Sequence, residues 1–195
     1  DATNAITCNV FQGSGYQNKK WGTERKVADT FEGYDFPIIR YAEVLLNYAE
    51  AMYELGTTGK ALDDALNISL NLVRLRVNPD MPKLTTSFVS ENNLNMREEI
   101  RRERTIELYN EGFRIDDLKR WNTAIVEMPK PILGVKWTGT DFATSWAGAS
   151  NMAKDSDGCL ILENSRRWGS KNDLYPLPVD QCQLNPNLGQ NPGWQ

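Results

Sequence analysis

Apolar positions along the chain change their rhythm twice. Residues 1–35 keep no sustained period, because Gly13, Gly15, Gly22 and Gly33 interrupt it, and they read as irregular or short-stranded. From Pro37 the pattern becomes helical: Ile38, Tyr41, Ala42, Leu45, Ala49, Met52 and Tyr53 recur at steps of three and four. Pro37 suits a first helical turn, where a missing N–H costs nothing, and Gly56 is the natural stop. A second helix is predicted over about 60–77, with Ala61, Ala65, Ile68, Leu72 and Leu75 on one face and Asn78-Pro79 ending it. Joined by the short GTTGK turn, the two form an αα-hairpin. Residues 84–95 read as a polar connector.

A third helix is predicted from near Asn95, where Asn95 and Glu98 have capping-box spacing. Eight of the eleven residues from Arg97 to Glu107 are charged, with Glu98–Arg102 and Arg104–Glu107 placed to pair along the helix. Gly112 is read as its end. A fourth helix over 113–124 presents Phe113, Leu118 and Trp121, with Asp116 spaced to meet Arg120, which completes a second hairpin. Beyond residue 125 the helical period is lost among prolines and glycines. Residues 132–137 and Cys159–Glu163 read as short strands of a hairpin with a long tip. Residues 174–195 read as an extended tail whose Leu174, Tyr175, Leu177, Val179, Leu184, Leu188 and Trp194 favour docking on the body. The predicted fold class is therefore mostly α, with helical hairpins at 36–124, a loop-rich insertion at 125–173 and the tail at 174–195.

Composition narrows the chemistry. The 195 residues include no His, which removes His general bases, Ser–His and Cys–His nucleophiles and His-ligated metals. A formal net charge of −4 argues against broad nucleic-acid binding. No run of apolar residues is long enough to span a membrane, and the first residues show no signal peptide. Without an initiator Met, processing or truncation is open. Cys8, Cys159 and Cys182 are too few for a disulfide framework and leave at least one thiol unpaired in a monomer. No cofactor is expected. Asp155-Ser156-Asp157-Gly158 hints at a calcium loop, but EF-hand spacing would place Ala153 first and Asn164 last, so a surface turn is preferred. Gly59-Lys60 lacks the rest of a P-loop.

Ala42, Ala49 and Ala51 would let a neighbouring helix approach closely, and the second helix loosely follows a tetratricopeptide pattern. Three longer segments carry a firmer resemblance. FPIIRYAEVLLNYAEAMYELG (36–56), IRRERTIELYNEGFRIDDLKRW (100–121) and DLYPLPVDQCQLNPNLGQNPGW (173–194) resemble successive signatures of the RagB/SusD family, in the family's order. SGYQNKKW (14–21) resembles the segment before the first signature, and Asn110 departs from the aromatic residue frequent there. The resemblance implies a mostly α fold with tetratricopeptide-like helix pairs. It implies a surface-exposed outer-membrane lipoprotein of Bacteroidetes that binds oligosaccharides, or sometimes peptides, without catalysis. Its partner would be a SusC-like TonB-dependent transporter, and its only membrane link a lipid anchor upstream of this chain. Family members are considerably longer, so the two hairpins would need helices from outside this sequence.

Within that frame, Glu103, Arg104, Glu107, Glu111, Arg114, Asp117 and Arg120 are expected to form a structural ion-pair network across the Gly112 corner. Pairing should lower the carboxylate pKa values, the opposite of what a general acid needs. Trp137, Phe142 and Trp146, together with Trp168, lie in the loop-rich segment. Sugars stack their C–H faces on such rings, so the first three are the candidate glycan-binding residues, against the alternative of docking on the body. Trp121 and Trp194 read as structural. Two rival functions remain: a tetratricopeptide-like module binding a protein or peptide, and a carboxylate-dependent glycosidase.

Overall fold

The computed structural model describes residues 14–16, 18, 20 and 37–194. The readings made for residues 1–13 and 21–36, Cys8 among them, lie outside these. Among the described residues there are nine α-helices and one two-stranded antiparallel sheet, a mostly helical fold. They fall into two compact units divided at Arg114/Ile115, and each is taken here by itself.

The helical unit holds α1 (Tyr41–Glu54), α2 (Gly59–Asn67), α3 (Leu70–Val77), α4 (Thr86–Glu91) and α5 (Met96–Glu107). Helix α1 starts four residues after Pro37, because Arg40 stays extended at the N-cap with its guanidinium held by Glu107 and Glu111. Ile38, counted into the stripe, is outside the helix and 87% exposed. At the other end Gly56 adopts φ +83, and the N–H groups of Gly56 and Thr57 donate to the carbonyls of Tyr53 and Met52. That double bond is a Schellman closure, which favours glycine at the left-handed position.

The second predicted helix is two helices. Ser69 breaks it, its hydroxyl donating to the Ala65 carbonyl at 2.6 Å. The buried face is only partly the predicted one: Ala65 is buried as expected and Ile68 and Leu72 are exposed, while Leu62, Leu66, Leu70 and Val73 point inward. With α1 supplying Leu45, Leu46 and Ala49 and α5 supplying Ile100, these residues form the main core. The supposed polar connector contains α4 and is tied down twice. The Asp63 carboxylate of α2 accepts from the Thr86 N–H at 2.7 Å and from its hydroxyl at 2.9 Å. Buried Asn71 accepts from the Leu84 N–H at 2.7 Å and donates to the Leu84 carbonyl at 3.0 Å. Helix α5 begins as expected, with the Asn95 side chain capping the Glu98 N–H at 3.2 Å. It ends at Glu107, five residues before Gly112.

Helix α1 also carries a second apolar stripe. Tyr41, Val44 and Tyr48 lie at helical spacing and are exposed, as is Leu55 at the C-cap, on a different side from buried Leu45, Leu46 and Ala49.

In the other unit, α6 (Arg114–Arg120), which starts at the division, and α7 (Ala124–Glu127) precede the hairpin. Strands β1 (Ile132–Lys136) and β2 (Cys159–Glu163) pair antiparallel, as the strand signals predicted, with register breaks on both sides of Leu133. Between them lie α8 (Phe142–Ser145) and a 3-10 turn at Ala147–Ala149. Residue 14 runs beside β1, its carbonyl accepting from the Val135 N–H at 2.8 Å. A Cβ on Gly134 would sit 2.7 Å from that carbonyl oxygen, so only glycine admits the close approach. The tail contains α9 (Val179–Leu184). Contrary to the expected apolar docking, Leu174, Tyr175, Val179, Leu184 and Leu188 are exposed. Side-chain amides and an indole shape the tail instead. Gln190 bonds the Leu177 backbone on both sides, Asn191 donates to the Tyr175 carbonyl, and Trp194 donates to the carbonyls of Lys171 and Leu174.

Asn71→Ala should cost about 3 kcal/mol in urea unfolding, since it strands two buried backbone groups of Leu84. A loss no larger than that of an exposed Asn92→Ala control would show that Asn71 is not the tie.

Candidate functional site

Residues of the charged signature are brought together, but along different lines from those predicted. Glu103 of α5 meets Arg74 of α3 at 2.8 Å, and both are buried. Glu107 accepts from Arg40 at 2.5 Å and from Arg76 at 2.9 Å. Glu111 takes Arg40 in a two-pronged contact at 2.6 and 2.7 Å. Arg104 donates to Asn47 of α1 at 2.7 Å and lies over the Phe113 ring at 5.4 Å. Arg114 donates to Thr105 at 2.9 Å. In the other unit Asp117 meets Arg120 at 2.8 Å. The three glutamates thus reach back to α3 and to the residue before α1, Glu103 and Glu107 from α5 and Glu111 from the turn that follows it.

Burial changes the protonation balance. Desolvation pushes the Glu103 carboxyl above its usual range, and the pull of Arg74 does not offset it. The expected lowering therefore fails at this buried, paired carboxylate. Arg40 is held far above the ordinary guanidinium value, first by its bond to Glu111 and then by Glu107. Each glutamate of the set faces a guanidinium.

The candidate aromatic residues lie on the β-hairpin and its tip. Trp146 is only 6% exposed, packed among Val135, Ala149 and Leu160, so its ring has no open face for a sugar. Trp137 and Phe142 pack on the outside of that cluster and are half-buried. The Trp137 indole N–H donates to the Trp146 carbonyl at 3.2 Å, which fixes the ring's orientation. Lys154 places its ammonium over the same ring at 4.4 Å and donates to the carbonyls of Ser150 and Met152 at 2.9 Å each. Asp155 uses its carboxylate within the turn, accepting from the N–H groups of Asp157 and Cys159. Among the described residues no group of His, Cys, Asp and Glu could hold a metal ion, and no helix is long and apolar enough to cross a membrane. Cys159 and Cys182 are free thiols.

A second aromatic group was not foreseen. Trp121 is buried with Leu118 and Ala124, and Trp168 packs against them. Lys119 of α6 sets its ammonium 3.7 Å from the Tyr175 ring centre and 5.7 Å from that of Trp168. Lys171 lies over Trp194 at 4.9 Å. Lys119 and Tyr175 are far apart in sequence, so no local pattern links them. In the helical unit a groove of about 280 Å3 runs beside the start of α1, floored by Ala42, Leu45 and Val73 and edged by Arg40 and Arg76.

A model of the SusD family matches residues 3–194. The chain belongs to the SusD/RagB family. A SusD-like carbohydrate-binding protein of Bacteroides fragilis superposes with a TM-score of 0.59 at 31% identity, over 78% of this chain and 28% of that one. A second SusD-like protein of the same organism gives 0.55 at 29% identity, over 80% of this chain and 25% of that one. This SusD-family chain therefore spans about a quarter of the length of these solved relatives. No curated protein sequence matches it.

Removing Arg74 tests the buried pair. Arg74→Met should cost about 3 kcal/mol at pH 7, because an unpaired carboxylate stays buried. With Arg74 gone the Glu103 pKa rises further. The folded state then binds more protons than the unfolded one above the ordinary carboxylate range, so stability falls as pH rises through that window. The urea midpoint of the variant should recover toward the parent as pH drops from about 7 to about 5. A loss independent of pH would contradict this assignment.

Proposed function

We propose that this chain is part of a non-catalytic oligosaccharide-binding protein of the bacterial cell surface. It would be lipid-anchored through residues outside this sequence and would pass intact glycan to a SusC-like TonB-dependent outer-membrane transporter. Family membership carries the proposal, reinforced by the carbohydrate-binding character of a 31%-identical relative. The geometry agrees with capture rather than chemistry. The signature glutamates are committed to Arg40, Arg74 and Arg76, and the chain has no histidine to serve as a base. A glycosidase would need two carboxyls facing a shared cleft. Trp137 and Phe142, held half-open on a braced hairpin tip, offer C–H stacking surface, while Trp146 supports them from inside.

A second reading, a tetratricopeptide-like module taking a peptide, is favoured by the apolar-floored groove between guanidiniums beside α1. That module should be monodisperse, whereas ANS binding with self-association would count against it.

Trp137→Ala and Phe142→Ala should each weaken retention in native gels cast with soluble polysaccharide, by roughly threefold or more per ring. Unchanged retention at both positions would remove them from the site.

A further inference from the structure

We infer that the aromatic–lysine cluster around residues 168–175 is a subsite for an acidic saccharide, one carrying a carboxylate or sulfate. The inference rests on the glycan-binding reading above and specifies a ligand class for it.

Most cations near a carboxylate are paired with it, as Arg120 is with Asp117 and Lys130 with Glu127. In the helical unit Arg40, Arg74, Arg76, Arg97 and Arg102 each meet a carboxylate within 3 Å. Around residues 168–175, Lys119 and Lys171 meet none. Both ammoniums are nevertheless held in place, by ring faces. Lys119 lies against Tyr175 and Trp168, and Lys171 against Trp194. The groups are gathered locally, since the Trp194 indole N–H donates to the carbonyls of Lys171 and Leu174, next to Tyr175. Asp173 is the carboxylate of this segment, and the Trp168 indole N–H holds it at 2.9 Å. Arg166 and Arg167, just upstream, bond to backbone carbonyls. A chain of net charge −4 thus keeps unneutralised positive charge beside aromatic surface.

The chemistry of these groups selects the ligand. A ring face attracts an ammonium without cancelling its charge, so its remaining N–H donors stay available. Ammonium groups donate only, and neutral sugar hydroxyls need acceptors as well as donors. A carboxylate or sulfate is acceptor-only and makes charge-assisted bonds of about twice the ordinary strength. Tyr175 is 70% exposed, which leaves aromatic surface for the sugar's C–H face next to the ammonium. Ring and ammonium together suit a uronic-acid or sulfated residue better than a neutral one.

The test is native affinity electrophoresis of the whole protein in polygalacturonate, with dextran as the neutral counterpart. Polygalacturonate should retard the protein more than dextran, and the excess should shrink as salt is raised. Lys119→Gln and Tyr175→Ala should each reduce polygalacturonate affinity by about fivefold. Lys119→Arg should keep most of it, and Lys83→Gln, which alters an exposed lysine of the helical unit, should change nothing. Thermal unfolding of each variant checks that the fold survives, and Lys171→Gln is a further reading of the same site. Retardation by dextran but not by polygalacturonate, or retention untouched by Lys119→Gln and Lys171→Gln, would overturn the acidic-sugar assignment alone. No retardation by either polymer would overturn it together with the glycan-binding proposal.

Discussion

Glu103 and Glu107 stand one turn apart on the inner side of α5, and the helical unit is organised around supplying guanidinium to them. Arg74 approaches from α3, Arg76 from the end of the same helix, and Arg40 from the residue before α1. Buried ions add little net stability when paired, yet leaving one unpaired is costly. A packing that separated Glu103 from Arg74 would leave a buried charge unpaired, and that cost disfavours it. Arg40 makes its contacts with Glu107 and Glu111 from an extended backbone at the N-cap of α1.

The other unit is built on different forces. Its small sheet and tail are held by indole N–H groups, amide side chains and lysines lying on rings. Such contacts order loops without the continuous apolar interior of a helix bundle. They leave ring surface and positive charge at the exterior, as at Tyr175 and Lys119.

Much of the architecture was legible in the residues because its signals are local. The existence of α1, the Asn95 cap, the Gly56 stop and the two hairpin strands each depend on neighbours within a few positions. Failures came where partners are distant. Leu62, Leu66, Leu70 and Val73 are as periodic as the set chosen for the second helix, and only packing against α1 and α5 shows which set is inside. The connector looked polar because Thr85, Thr86 and Asn92 dominate it, while the bonds from Asp63 and Asn71 that hold it come from other helices. The candidate site was legible in its residue types and less so in its geometry. Trp137, Phe142 and Trp146 look alike in sequence, but one indole fills a core and the other two rings lie over it.

By itself the sequence determined the fold class, the family signatures and the exclusion of histidine chemistry, since these are properties of composition and short-range order. Only the tertiary structure decided which carboxylate meets which guanidinium, which tryptophan is enclosed, and that Lys119 rests on Tyr175. Those outcomes depend on residues far apart in the chain coming within a few ångströms. Burial then sets their energies, as at Glu103, where desolvation outweighs the attraction of its own partner.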